Sequence, residues 1–299
     1  MRGGFGRGSR VRFGLVNVRA VGVVGLGTMG SGIAQVCVSS GFPTIGREPT
    51  KELAEQAREA IAARLGRAAE RGRLTGRDRD EALARLTVTT QVADLRDCDL
   101  VVEAAPERLG VKLELFAELA TFVGTDTLLA TNTSALSVTE IAHATPLPER
   151  VLGLHFFNPA PVLPLVEVVR TGLTSDAVVE TATAFVERLG KTPVVCGDTP
   201  GFIVNRLLIP VLNDAVRLLE EESAEAEAID TAMRLGTSWP IGPLALIDLI
   251  GVDVHVAASE ALWHACREPR LNPPGRLLSM LQAGHLGRKT GQGFYTYTA

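Results

Sequence analysis

The 299-residue chain has few cysteines, few lysines and no long apolar run. Its four cysteines, Cys37, Cys98, Cys196 and Cys266, stand far apart and form no Cys-x-x-Cys pair. That spacing argues against a structural zinc site and a disulfide framework, so no metal is expected, and it fits a reducing compartment. Every apolar stretch is broken by glycine or charge before it reaches membrane-span length, so no membrane partner is expected. A basic excess is missing too: the formal net charge is -4, and no nucleic acid partner is expected. No internal repeat is evident.

What is present is a globular balance, with 46% hydrophobic and 21% charged residues, enough apolar mass for a real core. The first twenty residues differ from the rest. They hold five arginines, five glycines and no acid. Residues 1–18 read as a disordered tail, with an organelle transit peptide as the alternative. Arginine outnumbers lysine 26 to 4 over the whole chain, so the arginines of the tail also fit general residue usage.

From residue 19 strand and helix patterns alternate. "RAVGVVGLG" reads as a buried strand and "TMGSGIAQVCVSS" as the helix after it. "FPTIGRE" is a weak strand, since proline and glycine are both unfavourable in a central strand. Residues 50–86 look like one or two solvated helices. "LTVTT", "DLVVEAA", "TLLATNT", "RVLGLHFF", "PLVEVV" and "TPVVCG" follow as strands, with helices at "KLELFAELATFV" and "TSDAVVETATAFVERLG". Such alternation implies an α/β fold of the Rossmann type, a doubly wound and mostly parallel sheet covered on both faces. After Asp198 the alternation stops. "GFIVNRLLIPVLNDAVRLLEEESA" reads as one long amphipathic helix, with further helices to the end. The expected organisation is therefore a dinucleotide-binding domain over 19–198 and an all-helical domain over 199–299.

"VGVVGLGTMGSG" sets Gly25, Gly27 and Gly30 in the G-x-G-x-x-G spacing, after a strand and opening a helix. In such a loop the first glycine makes the tight turn, the second lets backbone approach a pyrophosphate, and the third lets helix and strand pack closely. Glu48 stands 18 residues past Gly30, at the end of the second strand, where an acid accepts hydrogen bonds from a ribose and repels a 2′-phosphate. NAD is therefore expected over NADP, although Arg47 beside Glu48 could tolerate a phosphate.

"LGLHFFNPAPVLPLVEVV" places one histidine and one glutamate, His155 and Glu167, in an otherwise apolar stretch. Burying either alone is costly. The linker "NPAPVLP" is too short for a parallel crossover, so the two strands are expected to run antiparallel and to bring the pair together. A carboxylate on one ring nitrogen fixes the tautomer and stabilises the imidazolium, giving a base with an orienting partner. A satisfied buried pair without chemistry is the alternative, and it loses weight beside a dinucleotide site. His143, His255, His264 and His285 have no comparable setting.

Taken together, "GLGTMGSGIAQV", "DLVVEAAPERLGVKLELFAEL", "TNTSAL", "GLHFFNPAPVLPLVEVV", "DTPGFIVNRLL", "AMRLGTSWPIGPLALIDLIGVD" and "RKTGQGFYTY" resemble the L-3-hydroxyacyl-CoA dehydrogenases, including the bacterial 3-hydroxybutyryl-CoA enzymes. The resemblance runs in family order over about residues 19–297. It implies an NAD-dependent oxidoreductase acting on a short L-3-hydroxyacyl-CoA, with His155 as general base oriented by Glu167. It implies that Ser134 and Asn205 hydrogen-bond substrate oxygens in a cleft between domains, although from the residues alone Ser134 could be a helix N-cap and Asn205 a polar helix position. Thr28, Met29, Glu107 and Asn132 would join Gly25, Gly27, Gly30 and Glu48 around the cofactor, and Asn158 would support the histidine loop. Arg64 and Arg71 stand where relatives have a serine and a lysine that contact CoA, and arginine also pairs with phosphate. Glu48 replaces the usual aspartate, and "AAPERL" the usual "AIVENL". A free hydroxy acid such as L-gulonate is the alternative substrate, and a non-enzymatic dinucleotide-binding protein a third reading. A homodimer through the helical domain and a cytoplasmic location are expected, or the mitochondrial matrix if the arginine-rich segment is a transit peptide.

Overall fold

The computed structural model describes residues 16–297. The described residues form two compact units that divide between Asp198 and Thr199. In the first, the order is β1 (Val21–Val24), α1 (Thr28–Ser39), β2 (Thr44–Arg47), α2 (Lys51–Glu70), α3 (Gly76–Ala84), β3 (Leu86–Thr89), β4 (Leu100–Glu103), α4 (Leu109–Phe122), β5 (Leu128–Thr131), α5 (Val138–Ala142), β6 (Val151–Phe156), β7 (Leu165–Arg170), α6 (Asp176–Arg188) and β8 (Thr192–Gly197). The eight strands form one sheet in the order β3-β2-β1-β4-β5-β6-β7-β8. All neighbours are parallel except β6 and β7, which are antiparallel.

Continuous apolar runs make the central strands, as a sheet buried on both faces requires. Val21, Val23, Leu100 and Val102 pack toward apolar side chains of α1, α2 and α6. Val24, Val101, Leu129 and Val151 pack on the opposite face against α4 and α5. The weak strand of the sequence reading is an internal one: β2 pairs with both β1 and β3, and its Pro43 carbonyl still accepts the Val21 N–H. Its missing donor lies before the strand, so the ladder is intact.

The segment 50–86 forms two helices. Thr50 caps α2 by accepting the Leu53 N–H, and a capping box of Thr75 and Asp78 starts α3. Only Ala54, Ala57, Ile61 and Leu65 are buried along α2, a single narrow stripe that leaves Arg58 and Arg67 exposed and Arg64 half-buried. Of the expected tail, residues 1–15 lie outside the described residues, whereas Val16–Val18 are held to the first unit. The Val16 N–H donates to Thr181 Oγ1 at 3.2 Å, Arg188 donates to the Val18 carbonyl at 2.6 Å, and Val18 is buried. Val18 joins the apolar core of the first unit, where burial is favoured over exposure to water.

The second unit contains α7 (Val204–Glu220), α8 (Ala226–Thr237), α9 (Pro243–Ile250), α10 (Val252–Cys266) and α11 (Gly275–Gln282). The helix expected from Gly201 starts only at Val204, because Phe202 takes a positive φ of 50° in a preceding turn. Leu212, Val216, Leu244, Ile247, Val256 and Leu277 form the core. Asp248 accepts the Phe294 and Tyr295 N–H groups, each at 3.0 Å, which ties the "GQGFYTY" segment to α9. Among the described residues, no helix is long and apolar enough to cross a membrane.

Candidate active site

At the end of β1 the chain turns through Gly25, whose φ is +83°. A Cβ at Gly30 would lie 1.7 Å from the Gly25 carbonyl oxygen, so only glycine lets the turn and α1 meet. A Cβ at Gly27 would meet no protein atom within 4 Å, although Gly27 caps α1. Open space at the N-terminus of a buried helix is what a bound pyrophosphate needs. Glu48 reaches into this loop and accepts the Leu26 N–H. Arg47 turns its Nε to the Thr90 carbonyl at 3.3 Å. Thr28 opens α1 and lines a neighbouring cleft, while Met29 packs against the core of the sheet. The residues present therefore fit a dinucleotide.

His155 and Glu167 face each other in β6 and β7, in direct register. His155 Nδ1 donates to Glu167 Oε2 at 2.6 Å, with both side chains buried. Because opposite residues of an antiparallel pair share one face of the sheet, register alone brings the two together. Phe157 packs against the imidazole with ring centroids 4.4 Å apart. Such an arrangement commits Nδ1 to the carboxylate and leaves Nε2 as the nitrogen that can exchange a proton.

Ser134 lies in the loop between β5 and α5. That loop is fastened on three sides. Glu107 Oε1 accepts the Ser134 N–H at 2.9 Å and the Thr133 hydroxyl at 2.5 Å. Asn132 Oδ1 accepts the Phe156 N–H at 2.9 Å, tying the loop to the strand of His155. Asp198 accepts from the N–H of Val138 and Thr139 and from the hydroxyls of Ser137 and Thr139. Asn132, expected at the cofactor, thus has its side-chain carbonyl engaged by β6. Asn205 stands in the first turn of α7 in the second unit.

The sequence reading missed Glu103 and Lys112. Both are buried and paired at 2.6 Å. Signals existed: one of only four lysines sits in the apolar pattern of α4, and a carboxylate ends the buried run of β4. The expected arginines also have company. A cleft of about 310 Å³ is lined by Arg64, Arg67, Arg71, Arg73, Thr28 and Asn158, among others. Arg64 donates from Nε to Gln35 at 2.9 Å, and one terminal nitrogen is buried without a hydrogen-bond partner. Burial, and then the charge of Arg67, push the Arg64 guanidinium below its usual range. An anion in the cleft would relieve both effects. Among the described residues, no group of His, Cys, Asp and Glu could hold a metal.

The fold and site define a dinucleotide-binding oxidoreductase of the α/β class, with a carboxylate-oriented histidine on its sheet. The model of the 3-hydroxyacyl-CoA dehydrogenase NAD binding domain matches residues 20–199, and that of the family's C-terminal domain residues 201–297. A 3-hydroxybutyryl-CoA dehydrogenase of Mycobacterium tuberculosis is 47% identical over 282 residues, covering 94% of this chain and 99% of its own. A 3-hydroxyadipyl-CoA dehydrogenase of Escherichia coli is 46% identical over 95% of this chain and 60% of its own. The crystal structure of M. tuberculosis FadB2 superposes with a TM-score of 0.92, at 46% identity, over 95% of this chain and 100% of that one. The chain belongs to the 3-hydroxyacyl-CoA dehydrogenase family, and its first domain is an NAD-binding domain.

Proposed function

We propose that this chain interconverts a short L-3-hydroxyacyl-CoA, of the 3-hydroxybutyryl-CoA kind, and its 3-oxoacyl-CoA. The observation that carries the reading is the 2.6 Å bond between His155 and Glu167. His155 takes the hydroxyl proton at Nε2, and the Glu167 carboxylate stabilises the imidazolium so formed. In reverse, the protonated ring returns that proton to the forming alkoxide. Ser134 and Asn205 hydrogen-bond the substrate oxygens, and Asn158 supports the histidine loop. Gly25, Gly27, Thr28, Met29, Gly30, Glu48, Glu107 and Asn132 would hold NAD, with Glu48 toward the ribose, and the bound cofactor would supply the acceptor for hydride from the substrate's C3. The engagement of Arg47 with the Thr90 carbonyl supports NAD over NADP. Arg64 and Arg71 pair with the phosphates of CoA.

Exposed leucines and valines of the helical unit support a homodimer through that unit, with Leu207 67%, Leu235 77% and Leu249 52% exposed. Sedimentation at micromolar concentration should give a dimer mass, and a monomer would refute this part. Four unpaired cysteines support a reducing compartment such as the cytoplasm.

A substrate panel tests the reading. Acetoacetyl-CoA should oxidise NADH at least about a hundredfold faster than a free 3-oxo acid, and faster than it oxidises NADPH. Equal or faster turnover of the free acid would favour a relative that acts on free hydroxy acids.

A further inference from the structure

Five side chains beside the glycine loop close a ring of hydrogen bonds and one ion pair. Thr131 Oγ1 donates to Glu103 Oε2 at 2.6 Å, and the Thr133 N–H donates to Thr131 Oγ1 at 3.2 Å. The Thr133 hydroxyl donates to Glu107 Oε1 at 2.5 Å. Lys112 Nζ then spans the two acids, 2.6 Å from Glu103 Oε1 and 3.3 Å from Glu107 Oε2. Lys112 Nζ also donates to the Ala105 carbonyl at 3.3 Å, and Glu103 Oε1 also accepts the Ala105 N–H at 2.7 Å.

Lys112 therefore has two hydrogen-bond acceptors and a second carboxylate as ion-pair partner, and its side chain is 1% exposed. A buried ammonium between two carboxylates is expensive to desolvate, and well-packed apolar residues of the same size often give equal stability. What apolar residues would not give is the connection itself. The ring runs from the buried end of β4 through α4 to Glu107, the residue that receives the Ser134 N–H.

We infer that Glu103 and Lys112 are positioning residues: through Glu107 and Thr131 they hold the Thr131–Ser134 loop in one geometry before substrate arrives. The inference rests on the reading of Ser134 as a substrate-binding group. Preset geometry matters because displacement of a positioning group by about 1 Å can lower the rate about a hundredfold. Glu103 touches neither substrate nor the reacting atoms in this account and acts only through its neighbours.

The test opens the ring without stranding a charge. Glu103→Gln with Lys112→Met removes both members of the buried pair, and Thr131→Val leaves the pair and removes two bonds, the one given to Glu103 and the one accepted from the Thr133 N–H. Three measurements are made on the full chain: thermal melting, hydrogen exchange of peptides covering 131–137, and kinetics with acetoacetyl-CoA and NADH. In the double variant we expect melting within about 5 °C of wild type. Exchange over 131–137 should be at least about tenfold faster, and kcat should fall at least about tenfold with a smaller change in KM. Thr131→Val should move exchange and kcat the same way by about threefold, and it decides the matter if the double variant does not fold. Exchange and kcat within twofold of wild type in a folded variant would overturn the inference. Wild-type protein inactive on every 3-oxoacyl-CoA would instead overturn the proposed function, and the exchange data would still judge the ring.

Discussion

Nδ1 of His155 lies 2.6 Å from Oε2 of Glu167, and the two residues are direct partners in the β6–β7 ladder. The pairing leaves little tolerance. A slip of one residue would move one side chain to the other face of the sheet and strand a buried carboxylate.

Removing either partner should therefore stop the chemistry and leave the cofactor site alone. His155→Ala and Glu167→Gln are each expected to lower kcat about a hundredfold or more, with NADH affinity within about threefold of wild type. Initial rates and NADH fluorescence titration measure the two effects. Unchanged turnover in His155→Ala would end the proposed mechanism.

Two glycines of the loop should behave differently, because their surroundings differ. At Gly30 a methyl group would collide with the Gly25 carbonyl, so Gly30→Ala should melt several degrees lower and lose NADH binding. At Gly27 a methyl group would meet no protein atom within 4 Å. Gly27→Ala should melt like wild type and still bind NADH about tenfold more weakly, because only the ligand would meet the added group. Wild-type affinity in Gly27→Ala would remove the loop as a cofactor cradle.

Charge removal in the arginine cleft separates thioester from free acid. Arg64→Ala and Arg71→Ala should each raise KM for acetoacetyl-CoA about tenfold, as expected for a lost phosphate pairing, with kcat little changed. The effect should shrink as salt is added. KM values indistinguishable from wild type at low salt would place the CoA phosphates elsewhere.

Acid stability should report on a different histidine. His255 lies buried in the helical unit, where its Nε2 donates to Asn213 Oδ1 at 2.9 Å, and Asn213 in turn donates to Ser259 at 2.8 Å. Burial pushes its pKa down from 6.5 to about 4. The native state thus keeps the ring neutral while the unfolded chain binds a proton below pH 6.5. Stability is fully present above that pH and falls as pH drops toward 4, by up to about 3 kcal/mol in all. Urea unfolding of wild type and His255→Gln at several pH values from 7 to 4.5 checks this. An equal pH slope in the two proteins would show that His255 is not the group responsible.

Much of the fold was legible because its signals are local. Continuous valine and leucine runs, cap residues and the glycine spacing each act over a few neighbours. Even the antiparallel turn between β6 and β7 followed from a linker too short for a crossover. Glu103 and Lys112 were not legible, although both are unusual in their apolar settings. Nine positions separate them, on a strand and on the helix after it, and nothing in the spacing says that their ends meet. The bond from the Phe156 N–H to Asn132 Oδ1 was not legible either, because it depends on which strand lies beside β5. Arg67 and Arg73 joined Arg64 and Arg71 only because α2 ends and the chain turns back there.

The sequence by itself determined the class of fold, the glycine loop and the presence of a histidine and a glutamate on successive strands. Those follow from residue type and from periods of two and 3.6 residues. Tertiary structure alone decided that the two side chains are opposite partners, that a buried lysine bridges Glu103 and Glu107, and that four arginines share one cleft. Such facts depend on strand order, register and helix placement. These are set by long-range packing and by loop closure, which a local pattern does not encode.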